Sequence, residues 1–289
     1  MSLVPMGPML RHARGHGYGI AAYNMIDYNS AASVISGACD LQAPVILQVS
    51  VKTVKHWGAR AIGAWVRMLA EDAPVPVALH LDHCTDADVI RRCMDAGWTS
   101  VMFDGSSLPF EENLARSSEI YALTQSAGIG LEAEIGAIGG VEDDKVVGED
   151  DAMLADFDEC VAFCREMPEL AVFAPAIGTA HGFYKGEPRI AYELLGRITQ
   201  AIDIPIALHG GTGLSDAQFQ RCIGLGCAKV NISTMHKRLF IDGFTKLREE
   251  KPDLAEPLPF ITAQHDAMKD DVMHSIRRFG SDGKAGEIG

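Results

Sequence analysis

Short apolar runs rich in Val, Ile and Ala alternate along the chain with longer segments of helical periodicity, and this alternation restricts the fold more than any other feature. The predicted strands are Gly19–Tyr23, Val45–Val49, Val77–Leu81, Ser100–Phe103, Gly130–Glu134, Ala171–Ala176, Ile204–Leu208 and Lys229–Ile232. Strand–helix repeats of this kind predict an α/β fold with a parallel sheet, and eight strands close it into a (β/α)8 TIM barrel. An open doubly wound sheet is the alternative, which is weakened because no G-x-G-x-x-G follows the first strand.

The helical segments fall between these strands. They are Tyr28–Leu41, Ala59–Ala70, Asp86–Ala96, Phe110–Ala127, Asp156–Glu166, Ile190–Ala201, Ser215–Leu225 and His236–Arg248. Asp86 and Ser215 have the side chains that cap helix N-termini. Gly97, Gly128 and Gly226 follow helical segments, where a left-handed residue is expected.

The length of 289 residues suits one such barrel, which typically needs about 250, so we expect a single domain over 1–289. Met1–Leu3 is interpreted as an expression remnant. The acidic, Gly-containing segment Gly139–Asp156 follows the fifth strand and is expected to be a mobile loop over the active-site mouth. Ile261–Phe279 is predicted to add a C-terminal helix, and Gly280–Gly289 to form a flexible tail that frays.

Charge and cysteine content exclude several classes of protein. The formal net charge is −14, whereas nucleic-acid surfaces need clustered Lys and Arg, so no nucleic-acid partner is expected. No apolar run approaches the roughly 18 residues of a membrane helix, and the N-terminus has no secretion signal. We therefore expect no membrane partner and a cytoplasmic location. The 7 cysteines include no C-x-x-C pair and are predicted to be reduced thiols in packed positions.

The predicted strands end in polar or ligand-forming side chains. These are Asn24, Ser50, Asp82, His83, Asp104, Glu134, His181, His209 and Asn231. In a (β/α)8 barrel the active site is built from the carboxyl ends of the strands. The three histidines come from the third, sixth and seventh strand ends, and three imidazoles around one point are the ligand set of an open catalytic zinc site. A single histidine at a strand end more often makes a structural hydrogen bond, so the zinc prediction depends on the barrel.

Three acidic residues accompany these histidines. Asp104 and Glu134 end the intervening strands, where carboxylates could bind a second metal or orient the imidazoles. A buried ion pair is the alternative role for each. Asp82 directly precedes His83 and could take a proton from a hydroxyl beside the zinc. Capping of a helix is the alternative role for Asp82.

Two loops predict a phosphate site. The segment His209–Gly213 (HGGTG) follows the seventh strand, and Asn231–Thr234 (NIST) follows the eighth. Loops at these positions commonly bind phosphate in this fold, because glycine lets backbone N–H groups approach an anion and hydroxyls add donors. Lys185 follows His181 closely and could supply a positive charge.

Sequence motifs over nearly the whole chain resemble those of the class II ketose-bisphosphate aldolases, the family of the zinc-dependent fructose- and tagatose-bisphosphate aldolases. The motifs are Ala78–His83 (ALHLDH), Val101–Ser106 (VMFDGS), Leu131–Gly136 (LEAEIG), Gly139–Asp143 (GGVED), Ile177–Gly182 (IGTAHG), Tyr184–Pro188 (YKGEP), Leu208–Gly213 (LHGGTG) and Lys229–Ile232 (KVNI). The ending Phe279–Ala285 is also similar to that of the family.

The resemblance implies cleavage of a phosphorylated ketose through an enediolate that the metal stabilises. The implied metal ligands are His83, His181 and His209 for the catalytic zinc, with Asp104 and Glu134 for a second divalent or monovalent cation. Asp82 is implied to exchange the proton of the aldehyde-derived oxygen, and Glu142 to move the proton on the dihydroxyacetone-phosphate carbon. The predicted phosphate and substrate contacts are Asn24, Ser50, Gly182, Lys185, Gly210, Gly211, Thr212, Asn231, Ser233 and Thr234. Family members form dimers or tetramers, so a homodimer or homotetramer is expected, with the C-terminal helix as a candidate interface.

The sequence departs from the family pattern at three strand ends. An acidic residue usually follows the Asn of the eighth strand, but Ser233–Met235 contains none. Met25–Asp27 after Asn24 and Val51–Lys52 after Ser50 are also unusual. These changes preserve the predicted zinc ligands and leave the distal half of the substrate open.

Three alternatives to a fructose- or tagatose-bisphosphate aldolase follow from the same residues. The first is an aldolase with a different phosphorylated ketose or aldehyde partner. The second is a zinc hydrolase in which Asp82 activates water, but a hydrolase has no need of the phosphate loops. The third is a non-catalytic sugar-phosphate binder, which would be expected to lose Asp82 or a zinc histidine.

Overall fold

The structure is a computed structural model that describes residues 3–142, 145–147, 153–184, 186 and 188–288, without the side chains of 141–147. The structure contains a closed barrel of parallel strands, which confirms the predicted TIM barrel. Its strands, in order around the barrel, are β1 (Ile20–Asn24), β2 (Val45–Ser50), β3 (Val77–Cys84), β4 (Ser100–Phe103), β5 (Gly130–Ile135), β8 (Val172–Pro175), β10 (Ile206–Leu208) and β11 (Cys227–Ile232). A small second sheet contains β6 (Gly139–Glu142), β7 (Lys145–Val147) and β9 (Ala180–His181).

The helices surround this barrel. They are α1 (Met6–His16), α2 (Tyr28–Asp40), α3 (Val51–Trp57), α4 (Ala59–Glu71), α5 (Ala87–Asp95), α6 (Phe110–Ala127), α7 (Phe157–Glu166), α8 (Tyr192–Ala201), α9 (Asp216–Gly224), α10 (Thr234–Glu250) and α11 (Leu258–Phe279). The predicted caps are present, since Asp86 accepts hydrogen bonds from two backbone N–H groups of α5 and Ser215 forms a capping box with Gln218. Within the described residues, no helix is both long and apolar enough to cross a bilayer.

Helix α1 was not predicted, and it closes the amino-terminal end of the barrel. Its side chains Met6, Met9 and Leu10 are buried in one cluster with the inward-facing Ala22 and Ile46. The helix begins at Pro5 without a side-chain cap, so the usual signal for a helix start is missing. The barrel is therefore a packed core at this end, and only the opposite end is free to form a site.

The barrel interior changes from apolar to polar along the strands. Ala22, Ile46 and Ala78 belong to the apolar cluster on α1. Two residues further along the same strands stand Asn24, Gln48 and His80, all buried. Because side chains repeat their direction every second residue of a strand, this polar layer faces the same interior, nearer the carboxyl ends.

The segment Gly139–Asp156 was expected to be a mobile loop, and part of it forms strands. β6 pairs antiparallel with β7 and parallel with β9, where Gly140 lies opposite His181. The backbone of β6 thus gains partners that a surface loop would lack. The mobility of the segment stays a prediction.

The C-terminal segment makes two backbone hydrogen bonds to the end of α2, and its flexibility stays a prediction. Gly280 ends α11 in the left-handed conformation. Beyond it, the Gly283 N–H donates to the carbonyl of Leu41 at 2.8 Å and the Ala285 N–H donates to that of Gln42 at 2.9 Å. These two bonds tie the segment predicted as a flexible tail to the end of α2.

Phe279→Ala is expected to lower the free energy of unfolding by about 3–5 kcal/mol, because it leaves a cavity between α11 and the barrel. The Phe279 side chain is fully buried, and its ring lies 5.0 Å from that of Phe219. Urea unfolding measures the change. Met68→Ala, on the exposed face of α4, is the control and should stay within about 0.5 kcal/mol of the parent. Equal losses in both variants would contradict the proposed packing role of α11.

Candidate active site

The three predicted zinc ligands meet at the carboxyl end of the barrel. One nitrogen atom from each of His83, His181 and His209 lies within 4.8 Å of the other two. His209 Nδ1 and His83 Nε2 are 3.0 Å apart. His181 was expected at the end of the sixth barrel strand, but it belongs to β9, after β8 has ended. Three imidazoles that converge in this way match the donor set of an open zinc site.

His83 reaches the site because the backbone departs from regular strand geometry. Its φ is +43°, in the left-handed region, and the pairing of β3 with β4 shifts register between Leu81 and Cys84. In a regular strand, neighbouring side chains point to opposite faces, so Asp82 and His83 could not both face the barrel interior. A left-handed non-glycine residue costs about 1–3 kcal/mol, and such strain is concentrated at functional sites.

Asp104 and Glu134 lie beside the same imidazoles. His83 Nδ1 is 3.0 Å from Asp104 Oδ2, and His209 Nδ1 is 3.5 Å from Glu134 Oε2. Ligand atoms of His83, Asp104 and Glu134 also lie within 4.8 Å of one another. The position therefore suits either predicted role. The carboxylates could bind a second cation, or Asp104 could hold the proton of His83 on Nδ1 and leave Nε2 for the zinc.

Asp82 is held by one oxygen and open at the other. Asn24 Nδ2 donates to Asp82 Oδ2 at 2.8 Å, and Gln48 Nε2 donates to Asn24 Oδ1 at 2.7 Å. Asp82 Oδ1 is buried and has no hydrogen-bond partner within the part of the chain that the structure describes. Asn24, predicted to contact substrate, here orients Asp82. Gln48 is a site residue that the sequence reasoning missed.

The two predicted phosphate loops are neighbours. Gly210 has φ +66°, and Tyr184 donates a hydrogen bond from its hydroxyl to the Gly210 carbonyl at 2.6 Å. A Cβ atom on Gly211 would lie 3.7 Å from the carbonyl oxygen of Asn231, so the loop after β10 lies against β11. Helix α10 begins at Thr234 directly after Ser233, and a helix N-terminus favours anions.

The other predicted substrate contacts include residues that make different interactions and residues that the structure does not describe. Ser50 caps α3, where its Oγ accepts a hydrogen bond from the Thr53 N–H at 3.4 Å. Thr212 lies in the first phosphate loop. Lys185 and the side chain of Glu142 lie outside the described residues. Their predicted roles stay predictions.

Gly210→Ala is expected to cost about 1–3 kcal/mol more than Gly182→Ala in the free energy of unfolding. Both glycines have positive φ, which disfavours a side chain by roughly 1 kcal/mol. At Gly210 the new Cβ would collide with backbone, 2.5 Å from the Ala180 oxygen, whereas at Gly182 it would meet no atom of the described residues within 4 Å apart from its chain neighbours. Denaturant unfolding of the metal-free variants gives the comparison. A cost at Gly210 no larger than the cost at Gly182 would show that the loop after β10 moves to accommodate the new Cβ atom.

A buried charged cluster that the sequence reasoning missed lies inside the barrel, next to His209. Glu132 Oε1 is 2.7 Å from His209 Nε2, and Glu132 Oε2 is 2.8 Å from Lys229 Nζ and 3.1 Å from His80 Nε2. Burial opposes ionisation of Glu132, but Lys229, His209 and His80 outweigh it and hold its pKa well below the ordinary value. Burial lowers the pKa values of His80 and His209, which favours their neutral forms. The sequence signal that could have revealed Glu132 is its spacing from Glu134. The two residues are two positions apart on one strand, so their side chains face the same side.

A closed barrel with three histidines and a carboxylate at its carboxyl end is typical of metal-dependent barrel enzymes. The family model for class II fructose-bisphosphate aldolase matches residues 4–284, and the chain belongs to this family. It is therefore an aldolase, a lyase, as predicted. This membership favours the aldolase over the hydrolase and the non-catalytic binder.

Relatives of this chain carry more than one substrate name. It is 37% identical over 290 residues to fructose-bisphosphate aldolase of Geobacillus stearothermophilus, with 99% of this chain and 100% of the relative covered. It is 35% identical over 285 residues to sulfofructosephosphate aldolase of Alkalicoccus urumqiensis, with 99% of each covered. The crystal structure of the YdjI aldolase of Escherichia coli K12 is similar with a TM-score of 0.86 and 29% identity, covering 98% of this chain and 99% of that one.

Proposed function

We propose that the protein is a zinc-dependent aldolase that reversibly cleaves a ketose bisphosphate, fructose-1,6- or tagatose-1,6-bisphosphate. The products would be dihydroxyacetone phosphate and an aldehyde phosphate, formed through an enediolate. The observation that carries this proposal is the convergence of three imidazoles near a carboxylate with one open oxygen.

The donor set fits zinc. His83, His181 and His209 would bind it, and three protein ligands leave a coordination position for the substrate. When bound, the zinc would act as a Lewis acid that polarises the ketone and stabilises the negative charge of the enediolate. Asp104 and Glu134, with His83, would hold the second cation if one is present.

Asp82 would take the proton of the C4 hydroxyl as the C3–C4 bond breaks. Its Oδ1 is open for this proton, and the hydrogen bond from Asn24 to Oδ2 fixes the carboxylate orientation. Glu142 would then deliver a proton to the enediolate carbon. The pairing of β6 with β9 supports this role, since Gly140, two residues before Glu142, lies opposite His181.

The phosphate groups would bind to the two loops after β10 and β11. Backbone N–H groups of Gly210 and Gly211 and the α10 N-terminus suit an anion, which the net charge of −14 does not otherwise favour. The full set of proposed phosphate and substrate contacts is Asn24, Ser50, Gly182, Lys185, Gly210, Gly211, Thr212, Asn231, Ser233 and Thr234.

A second candidate is an aldolase that acts on a different phosphorylated ketose or aldehyde partner. Two relatives at nearly equal identity carry different substrate names, so overall similarity does not select between the substrates. The unusual residues Val51, Lys52 and Met235 lie in the first turns of α3 and α10, which follow β2 and β11, and there they could contact the distal half of the substrate.

Cleavage of a substrate panel tests the proposal. Fructose-1,6-bisphosphate, tagatose-1,6-bisphosphate and several ketose monophosphates would each be assayed for release of dihydroxyacetone phosphate, with added zinc and after chelation. Chelator-sensitive release from one bisphosphate, lost in Asp82→Ala, would establish the reaction and the stereochemistry. Release from none of the panel by zinc-loaded protein would overturn the bisphosphate proposal and favour the second candidate.

We also propose a homodimer or homotetramer in the cytoplasm, with a role in carbohydrate metabolism such as glycolysis. Exposed apolar side chains on α10 and the start of α11 support an interface there: Ile241, Phe244, Leu258 and Ile261. The predicted interface helix, Ile261–Phe279, begins in this patch. Light scattering after size-exclusion chromatography measures the mass, and a monomer at micromolar concentration would overturn this part.

A further inference from the structure

We propose that Glu132 and Lys229 form a positioning pair that fixes the tautomer of His209 and the amide orientation of Asn231. The pair links a predicted zinc ligand to a predicted substrate contact through charges enclosed in the barrel. All three distances that join these four residues are 2.8 Å or shorter. This inference rests on the proposed function, in which His209 binds zinc and Asn231 contacts the substrate.

Glu132 determines which nitrogen of His209 can bind a metal. A neutral imidazole carries one N–H, and an ionised carboxylate can only accept a hydrogen bond. Glu132 Oε1 lies 2.7 Å from His209 Nε2, whereas Glu134 Oε2 is 3.5 Å from Nδ1, so the proton belongs on Nε2 beside the nearer carboxylate. The lone pair is then on Nδ1, the nitrogen that lies 3.0 Å from His83 Nε2 at the centre of the histidine cluster. A metal ligand must be unprotonated, and this tautomer presents the correct atom.

Lys229 determines how the amide of Asn231 is turned. Its ammonium group has three donors and no acceptor, so the atom facing it at 2.7 Å must be the carbonyl oxygen of Asn231. The amide NH2 is then directed away from Lys229. Asn231 Nδ2 is buried, with no hydrogen-bond partner among the residues described here. A buried donor without a partner is rare in folded proteins, and a substrate oxygen would satisfy this one.

Lys229 is suited to this positioning role and not to covalent catalysis. Its side chain is fully buried, and its ammonium lies 2.8 Å from Glu132 Oε2, so a substrate carbonyl has no access to it. A buried ion pair is weak evidence for stability, because apolar residues of the same volume often serve as well. The contacts with His209 and Asn231 explain why this pair consists of charged residues rather than apolar ones.

Glu132→Gln tests the His209 half with almost no change of shape. Lys229 would hold the new carbonyl oxygen, so the amide NH2 would face His209 Nε2 and move the imidazole proton to Nδ1. We expect the Nδ1–H tautomer in the metal-free variant, read from nitrogen-15 spectra of histidine-labelled protein. The zinc affinity, measured by chelator competition, should fall about 10–100-fold. Asp271→Asn is the matched control, because Asp271 accepts a hydrogen bond from Tyr23, outside the positioning pair.

Unchanged zinc affinity and an unchanged tautomer in folded Glu132→Gln would overturn the inference. An Nδ1–H tautomer for His209 in the metal-free parent protein would also overturn it, and that measurement needs no variant to fold. Neither readout needs a substrate, so a negative substrate panel would not affect them. Lys229→Met tests the Asn231 half. Its kcat on the substrate found by the panel should fall about 10–100-fold, and an unchanged kcat would remove that half.

Discussion

His181→Ala is expected to lower kcat/KM roughly a thousandfold or more on whichever substrate the panel finds. A zinc ion supplies several kcal/mol of transition-state charge stabilisation, and each 1.4 kcal/mol is worth about a factor of ten in rate. His181 comes from the short strand β9 rather than from the barrel. Its removal should therefore disturb the barrel less than the removal of His209, which is bound to the buried charged cluster.

Metal analysis separates loss of zinc from loss of fold in this variant. We expect His181→Ala to purify with far less zinc and to unfold close to the parent in its metal-free state. Zinc added to chelated parent protein should restore activity, whereas zinc added to the variant should restore little. His16→Ala, an exposed histidine at the closed end of the barrel, is the matched control. Full activity of chelated parent protein would contradict a metal-dependent reaction.

The barrel could be predicted because its strands are buried on both faces and therefore read as continuous apolar runs. Every predicted strand lies within a few residues of an observed one, as with Ser100–Phe103, whose bounds are identical. Helix α1 escaped prediction because its start has no side-chain cap. The pairing of β6 with β9 joins segments distant in sequence, and no local pattern specifies it.

The clustering of the strand-end side chains could be predicted because barrel strands bring their last side chains to one end. Which of them touch each other could not, since those contacts cross the barrel. Asn24 was expected to bind substrate, yet it donates to Asp82 on a strand two places away. Glu132 interrupts an apolar run, which suggests a buried partner, but Lys229 and His80 become its neighbours only when the barrel closes.

Asp82→Asn is expected to lower kcat for cleavage about 10²–10⁴-fold, the usual contribution of a positioned general base. The amide has the shape of the carboxylate, and its oxygen can still accept the hydrogen bond from Asn24. Its NH2 would then occupy the position of Oδ1, where a donor cannot take the C4 hydroxyl proton. Asp88→Asn, with a side chain 84% exposed on α5, is the control and should retain full activity.

Proton exchange on dihydroxyacetone phosphate distinguishes a chemical role of Asp82 from a structural one. This exchange forms the enediolate without breaking a carbon–carbon bond, so it would need the zinc and Glu142 but no base at the C4 oxygen. We therefore expect Asp82→Asn to keep most of the exchange of the C–H proton with deuterated water while it loses cleavage. Loss of both reactions together, with zinc still bound, would instead show that Asp82 shapes the whole site, and the C4 proton would then need another acceptor.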